Sequence, residues 1–164
     1  MSELEEVLSG ESAHAAPAAI LEGLSGAAAH WRMEGAPRTI YEELWHIAFW
    51  QQMTLDWVSG RETAYPAQAA DGFPSAQDVK RETWEQLRER FFAGNGQAAE
   101  VARDVGGLDK LVSCPSRPDM PVRVMTVREQ LESLGAHNAY HLGRIVLLRQ
   151  VQGLWPPAGG GFSW

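Results

Sequence analysis

The sequence predicts an all-α protein, a four-helix bundle that forms a single domain over residues 1–164. Four segments begin with Ser or Thr followed three residues later by Glu or Asp, the capping box that starts a helix. These starts are Ser2, Thr39, Ser75 and Thr126. Behind each start, apolar residues recur every three or four positions, as on the buried face of an amphipathic helix. Two long connections rich in proline and glycine separate the helices, so the bundle topology is not a simple one.

The first predicted helix covers residues 2–24, and its interior contains two helix breakers. Gly10 and Pro17 both disfavour a helix interior, so a division into two shorter helices is the alternative. His14 lies in this segment, either as a surface histidine or as a neighbour of the histidine cluster described below. The connector at 25–38 leaves room for one further helical turn.

The second predicted helix, residues 39–59, is stopped by Gly60 and is apolar on two sides. One stripe is aromatic and contains His46; the other is aliphatic, and only a narrow polar strip remains. A helix of this kind must bury both faces. It either contacts a second subunit, which predicts a homodimer, or lies at the centre of the monomer.

The third predicted helix is one continuous segment over residues 75–105, in which Gly94 and Gly96 permit a kink. The segment 108–125 contains three prolines and is predicted to be a long loop. It holds the single cysteine, Cys114, which we interpret as an incidental thiol. One cysteine excludes an internal disulfide and fits a reducing compartment.

The last predicted helix begins at Thr126, and Gly153 with two following prolines ends it. The remaining tail, 158–164, is rich in glycine. Phe162 and Trp164 predict that this tail packs back on the body of the protein.

Two histidines lie four residues apart on the last helix, so His137 and His141 point the same way. They share their stripe with aliphatic residues, and two interpretations stay open: neutral core histidines, or a pair that binds one metal ion. His46, on the aromatic stripe of the second helix, is the candidate third ligand. The spacing is that of His-Glu-x-x-His metalloproteases, but Asn138 replaces the glutamate that acts as general base there.

Carboxylates are too few for a di-iron bundle. Such bundles use Glu-x-x-His on two helices, whereas this chain has one such motif, from Glu43 to His46. Three histidines with an open coordination position describe a mononuclear site for Zn²⁺ or Ni²⁺, with Fe²⁺ and Mn²⁺ as alternatives.

The formal net charge of −7 argues against a nucleic-acid partner, which requires clustered Lys and Arg. Binding to a membrane surface is disfavoured for the same reason. No apolar run is long enough to span a membrane, and the acidic start of the chain lacks the pattern of a signal peptide. We therefore expect a cytoplasmic protein that acts on a small molecule.

The segment from His137 to Arg149, followed by Gly153-Leu-Trp155, resembles the DinB-like family. It matches the branch with the signature His-Asn-Ala-Tyr-His-x-Gly-x-Ile/Leu-Val-Leu-Leu-Arg, and the motif ending at His46 is similar to the family's earlier histidine motif. The order of helices and loops agrees over nearly the whole chain. One departure is Arg144, where the family more often has Gln.

The resemblance implies an up-down-down-up four-helix bundle, often dimeric, with a divalent metal held by His46, His137 and His141. It also implies a thiol S-transferase that uses a low-molecular-weight thiol. Glu43 would orient a ligand imidazole or act as a base, and Arg144 would hold a carboxylate of cofactor or substrate, unless both are ordinary ion-pair residues. A metal-binding or stress-related interaction protein without turnover is the alternative, and a hydrolase is disfavoured by the asparagine between the histidines.

Overall fold

The computed structural model describes residues 2–9, 12 and 14–159 and is predominantly helical, as predicted. The tail residues Phe162 and Trp164 lie outside the described residues, so their packing stays a prediction. No helix of the described part is long and apolar enough to cross a membrane. The helices are α1 (Glu3–Ser9), α2 (Pro17–Ile20), α3 (Gly26–His30), α4 (Ile40–Val58), α5 (Ala76–Arg81), α6 (Trp84–Arg103) and α7 (Val127–Val151), with 3₁₀ turns at Ala69–Gly72 and Val105–Gly107.

The predicted limits of α4 and α7 are confirmed by their caps. The Thr39 hydroxyl accepts a hydrogen bond from the backbone N–H of Glu42, and the Glu42 carboxylate accepts one from the backbone N–H of Thr39. The same reciprocal pair forms at Thr126. Gly60 and Gly153 follow the ends of the two helices with φ of 87° and 69°, a conformation that glycine adopts without steric cost.

The first predicted helix is divided, as the alternative stated. It consists of α1 and α2, and Pro17 occupies the start of α2, where its missing N–H costs nothing. The helical turn predicted in the connector is α3, which Ser25 caps by accepting from the N–H of Ala28.

The third predicted helix is not continuous, and this part of the prediction was wrong. Glu82 is extended, and Thr83 starts α6 through a second capping box with Gln86. The break lets the indole N–H of Trp84 donate to the carbonyl of Leu24 at 2.8 Å, which ties α6 to the N-terminal segment. The third predicted helix therefore consists of two helices, α5 and α6.

The segment predicted as a long loop contains an antiparallel hairpin, which corrects the all-α class in this detail. Strands β1 (Leu111–Cys114) and β2 (Arg123–Thr126) pair in a register that sets Cys114 opposite Arg123. Val112 and Cys114 are buried on the inner face, and the three prolines lie between the strands. A Pro cannot donate to a strand pair, so its place in the connecting turn is the expected one.

Two apolar clusters fill the interior, and the long helices cross both. α4 and α6 pass from the first cluster to the second, whereas α7 passes from the second to the first. The up-down-down-up arrangement of four helices stays a prediction because the first helix is divided. Between the clusters α4 and α7 bury polar residues, namely Glu43, His46, Asn138 and His141.

Helix α4 lies between α6 and α7, so both of its apolar faces are covered within one chain. The central-helix interpretation therefore accounts for the two-sided pattern. The homodimer is untested and stays a prediction.

We expect Gly94→Ala to lower the free energy of unfolding by about 1–3 kcal/mol, the range for overpacking a filled interior. A Cβ at Gly94 would overlap the side-chain amide of Gln51 on α4, and Gln51 is only 1% exposed. Urea unfolding measures the change. Gly96→Ala is the matched control, because nothing lies within 4 Å of its Cβ position. The free energy of unfolding of the control should rise by up to about 1 kcal/mol, because alanine has a higher helix propensity than glycine. A change of the same sign in both variants would contradict the prediction.

Candidate metal centre

Three imidazoles from two helices converge between the apolar clusters. His46 comes from α4, and His137 and His141 come from one face of α7. One ring nitrogen of each lies within 4.8 Å of the others, and the Nε2 atoms of His46 and His137 are 3.2 Å apart. The structure thus brings together the three predicted ligands, although 91 residues separate His46 from His137.

The connector between α4 and α5 fixes the His46 ring. Its Nδ1 lies 2.7 Å from the carbonyl oxygen of Gly72, and a carbonyl only accepts, so Nδ1 carries the proton. The lone pair is therefore on Nε2, which faces the other histidines. Phe73 stacks on the ring at 4.1 Å between centroids, and a Cβ at Gly72 would lie 3.4 Å from Nδ1. The absence of a side chain at this position allows the backbone to approach the ring.

A buried carboxylate fixes the His141 ring in the same way. The Nδ1 of His141 lies 2.6 Å from one oxygen of Glu43, whose side chain is 0% exposed. The other oxygen of Glu43 forms an ion pair of 3.0 Å with Arg144. The carboxylate accepts the Nδ1 proton of His141, so the Nε2 of His141 also presents a lone pair. This is the carboxylate–histidine arrangement that orients metal ligands in proteins.

His137 has a different environment. Its Nδ1 is buried without a hydrogen-bond partner among the described residues, as is the side-chain oxygen of the adjacent Asn138. Burial, together with the neighbouring His141 and His46, lowers the pKa of His137 to about 4. Burial also lowers the pKa of His46 to about 4, against the opposing effect of the Gly72 carbonyl. Both rings are therefore neutral at pH 7, the form that binds metal ions.

These donors fit a divalent metal ion. His46 and His141 each have Nδ1 engaged by an acceptor, which leaves Nε2 as the ligand atom, and the Nε2 of His137 lies 3.2 Å from that of His46. Three imidazole nitrogens suit Zn²⁺, Ni²⁺ or Fe²⁺, and a set of three protein ligands leaves a coordination position for a further group.

The histidines line one side of a cavity of about 570 Å³. Aromatic rings form much of the wall, with Trp50 edge-on to both His46 and His137. No Asp or Glu is among the described residues that line it, and Arg123 is the one Lys or Arg among them. The lining consists of His46, Trp50, Thr54, Trp57, Tyr65, Pro66, Gln68, Ala69, Phe73, Arg123, Gln130, Ser133, Leu134, His137, Tyr140 and His141.

Three predicted residues lie outside this cavity: Glu43, which reaches the site only through His141, and Arg144 and His14. Arg144 lines a separate cavity with Met33 and Arg38. Its guanidinium forms an ion pair with Glu43 and so holds that carboxylate in place. His14 lines another cavity next to α1, where its Nδ1 contacts the carbonyl of Ala15. The sequence left open whether His14 lies beside the metal, and its position in a different cavity does not favour that alternative.

Sequence reasoning missed four residues of the site. Gly72 and Phe73 belong to a connector, and their contact with His46 depends on how that connector folds over α4. Arg123 belongs to the missed hairpin. Gln130 precedes His137 by seven residues, two helical turns on the same face of α7, and this spacing was readable from the sequence.

A sequence profile of the DinB superfamily matches residues 11–145, most of the chain. The matched stretch contains Glu43 and all three histidines of the cluster. The chain belongs to the DinB superfamily. No curated protein and no solved structure matches it with significance.

We expect this DinB-superfamily protein, freed of metal, to lose stability as the pH falls from about 6.5 to about 4. The pKa values of His46 and His137 are lowered to about 4 in the fold, so in this window the unfolded chain binds more protons than the folded one. Linkage then lowers the free energy of unfolding as the pH falls, and the contribution is fully present above the unfolded pKa. Urea unfolding at about pH 7 and about pH 4.5 measures the difference. A double His46→Gln, His137→Gln variant should depend less on pH; an equal dependence would contradict the assignment.

Proposed function

We propose that the protein is a metal-dependent thiol S-transferase that joins a low-molecular-weight thiol to a small electrophile. The observation that carries this proposal is the cluster of three ring nitrogens within 4.8 Å of one another beside a cavity, with the Nδ1 atoms of His46 and His141 held by Gly72 and Glu43. A purely structural histidine cluster has no need of a cavity of about 570 Å³ next to it. Membership of the DinB superfamily supports the same class of function.

His46, His137 and His141 would hold the ion, zinc or nickel in the first instance. When bound, the ion lowers the pKa of a coordinated thiol and so supplies a nucleophilic sulfur at neutral pH. Glu43 keeps the proton of His141 on Nδ1, and Arg144 holds Glu43 in place. The aromatic wall provides apolar surface for the electrophile.

Metal-assisted hydrolysis is less well supported. It requires a base that takes a proton from water. Asn138 cannot act as one, and Glu43 is engaged by both His141 and Arg144. No carboxylate among the described lining residues faces the cavity.

The test is a turnover screen with zinc-loaded and nickel-loaded protein, using cysteine, glutathione and coenzyme A as thiols and monochlorobimane as the electrophile. Product that forms faster with the loaded wild type than with its metal-free form or with His141→Ala supports the transferase. A thermal shift with one of these thiols but no product would favour the alternative, a metal-binding interaction protein without turnover.

We also propose that the protein is a homodimer. Helix α7 leaves Tyr140, Leu147 and Val151 exposed along one side, and such a row of apolar side chains is suited to contact with a second copy. Light scattering of the purified protein gives the oligomeric state, and a monomeric mass at micromolar concentration would exclude a stable dimer.

A further inference from the structure

The cavity beside the histidines is elongated along α7. Its lining extends from His141 and His137 back to Gln130 on the same face of the helix. Seven residues separate Gln130 from His137, which corresponds to about 10 Å along the helix axis. On α4 the lining extends similarly from His46 to Thr54 and Trp57. A ligand that fills the cavity therefore extends beyond the metal site along α7.

The end of the cavity remote from the histidines contains two polar groups without partners. Gln130 is 3% exposed, and its side-chain oxygen makes no hydrogen bond within the described part of the chain. A buried amide without a partner costs free energy unless a ligand or water satisfies it. Arg123, on the strand that leads into α7, contributes to the same lining, and among the described residues it forms no ion pair. The hairpin register sets Arg123 opposite the buried Cys114, and the side chain of Arg123 is itself exposed.

The charge of this lining contrasts with that of the whole chain. The chain carries a formal net charge of −7, yet the lining holds one arginine and no Asp or Glu among the described residues. A guanidinium pairs with a carboxylate through two parallel N–H donors, and the unpartnered side-chain oxygen of Gln130 accepts a hydrogen bond from an N–H or O–H group of a ligand.

We propose that the cavity binds an elongated small molecule whose acidic group, a carboxylate, contacts Arg123, and whose N–H or O–H group donates to the side-chain oxygen of Gln130, about 10 Å along α7 from His137. The inference deepens the proposed transferase function, because it assigns the thiol or its acceptor to the class of long, acidic molecules. Arg123 acts as a specificity residue, and it selects the acid over a neutral molecule of the same length.

The test compares two ligands of equal length, ω-mercaptooctanoate and ω-mercaptooctanol, by calorimetry with zinc-loaded protein. The acid should bind about tenfold more tightly than the alcohol, which is the ratio expected for one hydrogen bond to a charged group. Arg123→Gln should abolish this ratio, and Arg123→Lys should retain part of it. Arg117→Gln is the matched control: Arg117 is an exposed arginine of the same hairpin loop that is outside the cavity lining.

Equal affinity for acid and alcohol in the wild type would overturn the inference, as would equal losses in Arg123→Gln and Arg117→Gln. Octanoate and octanol, which have no thiol, test the acidic end in the metal-free protein. If zinc does not strengthen the binding of mercaptooctanol, the proposed thiol transferase function is wrong. The effect of Arg123→Gln on octanoate still decides the inference.

Discussion

The His141→Ala variant is expected to hold no divalent metal at neutral pH, whereas the wild type holds about one ion per chain. The substitution removes one of three nitrogens, and it also removes the ring through which Glu43 acts on the site. Two remaining imidazoles bind divalent ions far more weakly than three. Elemental analysis after reconstitution with zinc or nickel and dialysis measures the content, and circular dichroism confirms that the variant is folded.

His14→Ala is the matched control, because His14 lines a different cavity and should leave the metal content unchanged. Equal metal content in His141→Ala and wild type would place the ion elsewhere. A wild type that binds no metal after reconstitution would make the cluster a group of core histidines, the other interpretation that the sequence permits.

Glu43→Gln should weaken metal affinity by about 10- to 100-fold, the usual effect of removing a group that hydrogen-bonds a ligand imidazole. Glutamine keeps the shape of the side chain and still accepts from His141, but it loses the negative charge that polarises the ring and pairs with Arg144. Competition for zinc against a chromophoric chelator measures the dissociation constant.

The control for this variant is Glu132→Gln, the same change at an exposed position of α7 outside the cavity that the histidines line. It should leave the affinity unchanged. If Glu43→Gln binds zinc as tightly as the wild type, Glu43 has only a packing role, and the notion that it orients His141 would be wrong.

Local signals in the sequence predicted the elements that carry the ligands. The capping boxes at Thr39 and Thr126 involve residues three positions apart, so they are visible without knowledge of the fold. The i, i+4 spacing of His137 and His141 is likewise visible without knowledge of the fold. A similar box at Thr83 and Gln86 breaks the third helix, and it was overlooked because the apolar spacing continues across it.

The remaining features depend on tertiary contacts. Strands of four residues leave a weak periodic signal, and the three prolines between β1 and β2 made the hairpin resemble a loop. The hydrogen bond from His46 to Gly72 links residues 26 positions apart across a connector with no regular pattern. The pairing of Glu43 with His141 joins residues 98 positions apart, and no local rule could predict it.

An ion shared by His46 and His137 would act as a reversible cross-link between an early and a late part of the chain. It joins two residues that are 91 positions apart, so the chain cannot gain the conformational entropy of opening this loop until the ion leaves. Partial unfolding that separates α4 from α7 then requires release of the ion. The rate of amide hydrogen exchange in the slowly exchanging parts of α4 and α7 should therefore fall when metal is added. Helix α1 contributes no ligand, so its exchange rate should not depend on metal.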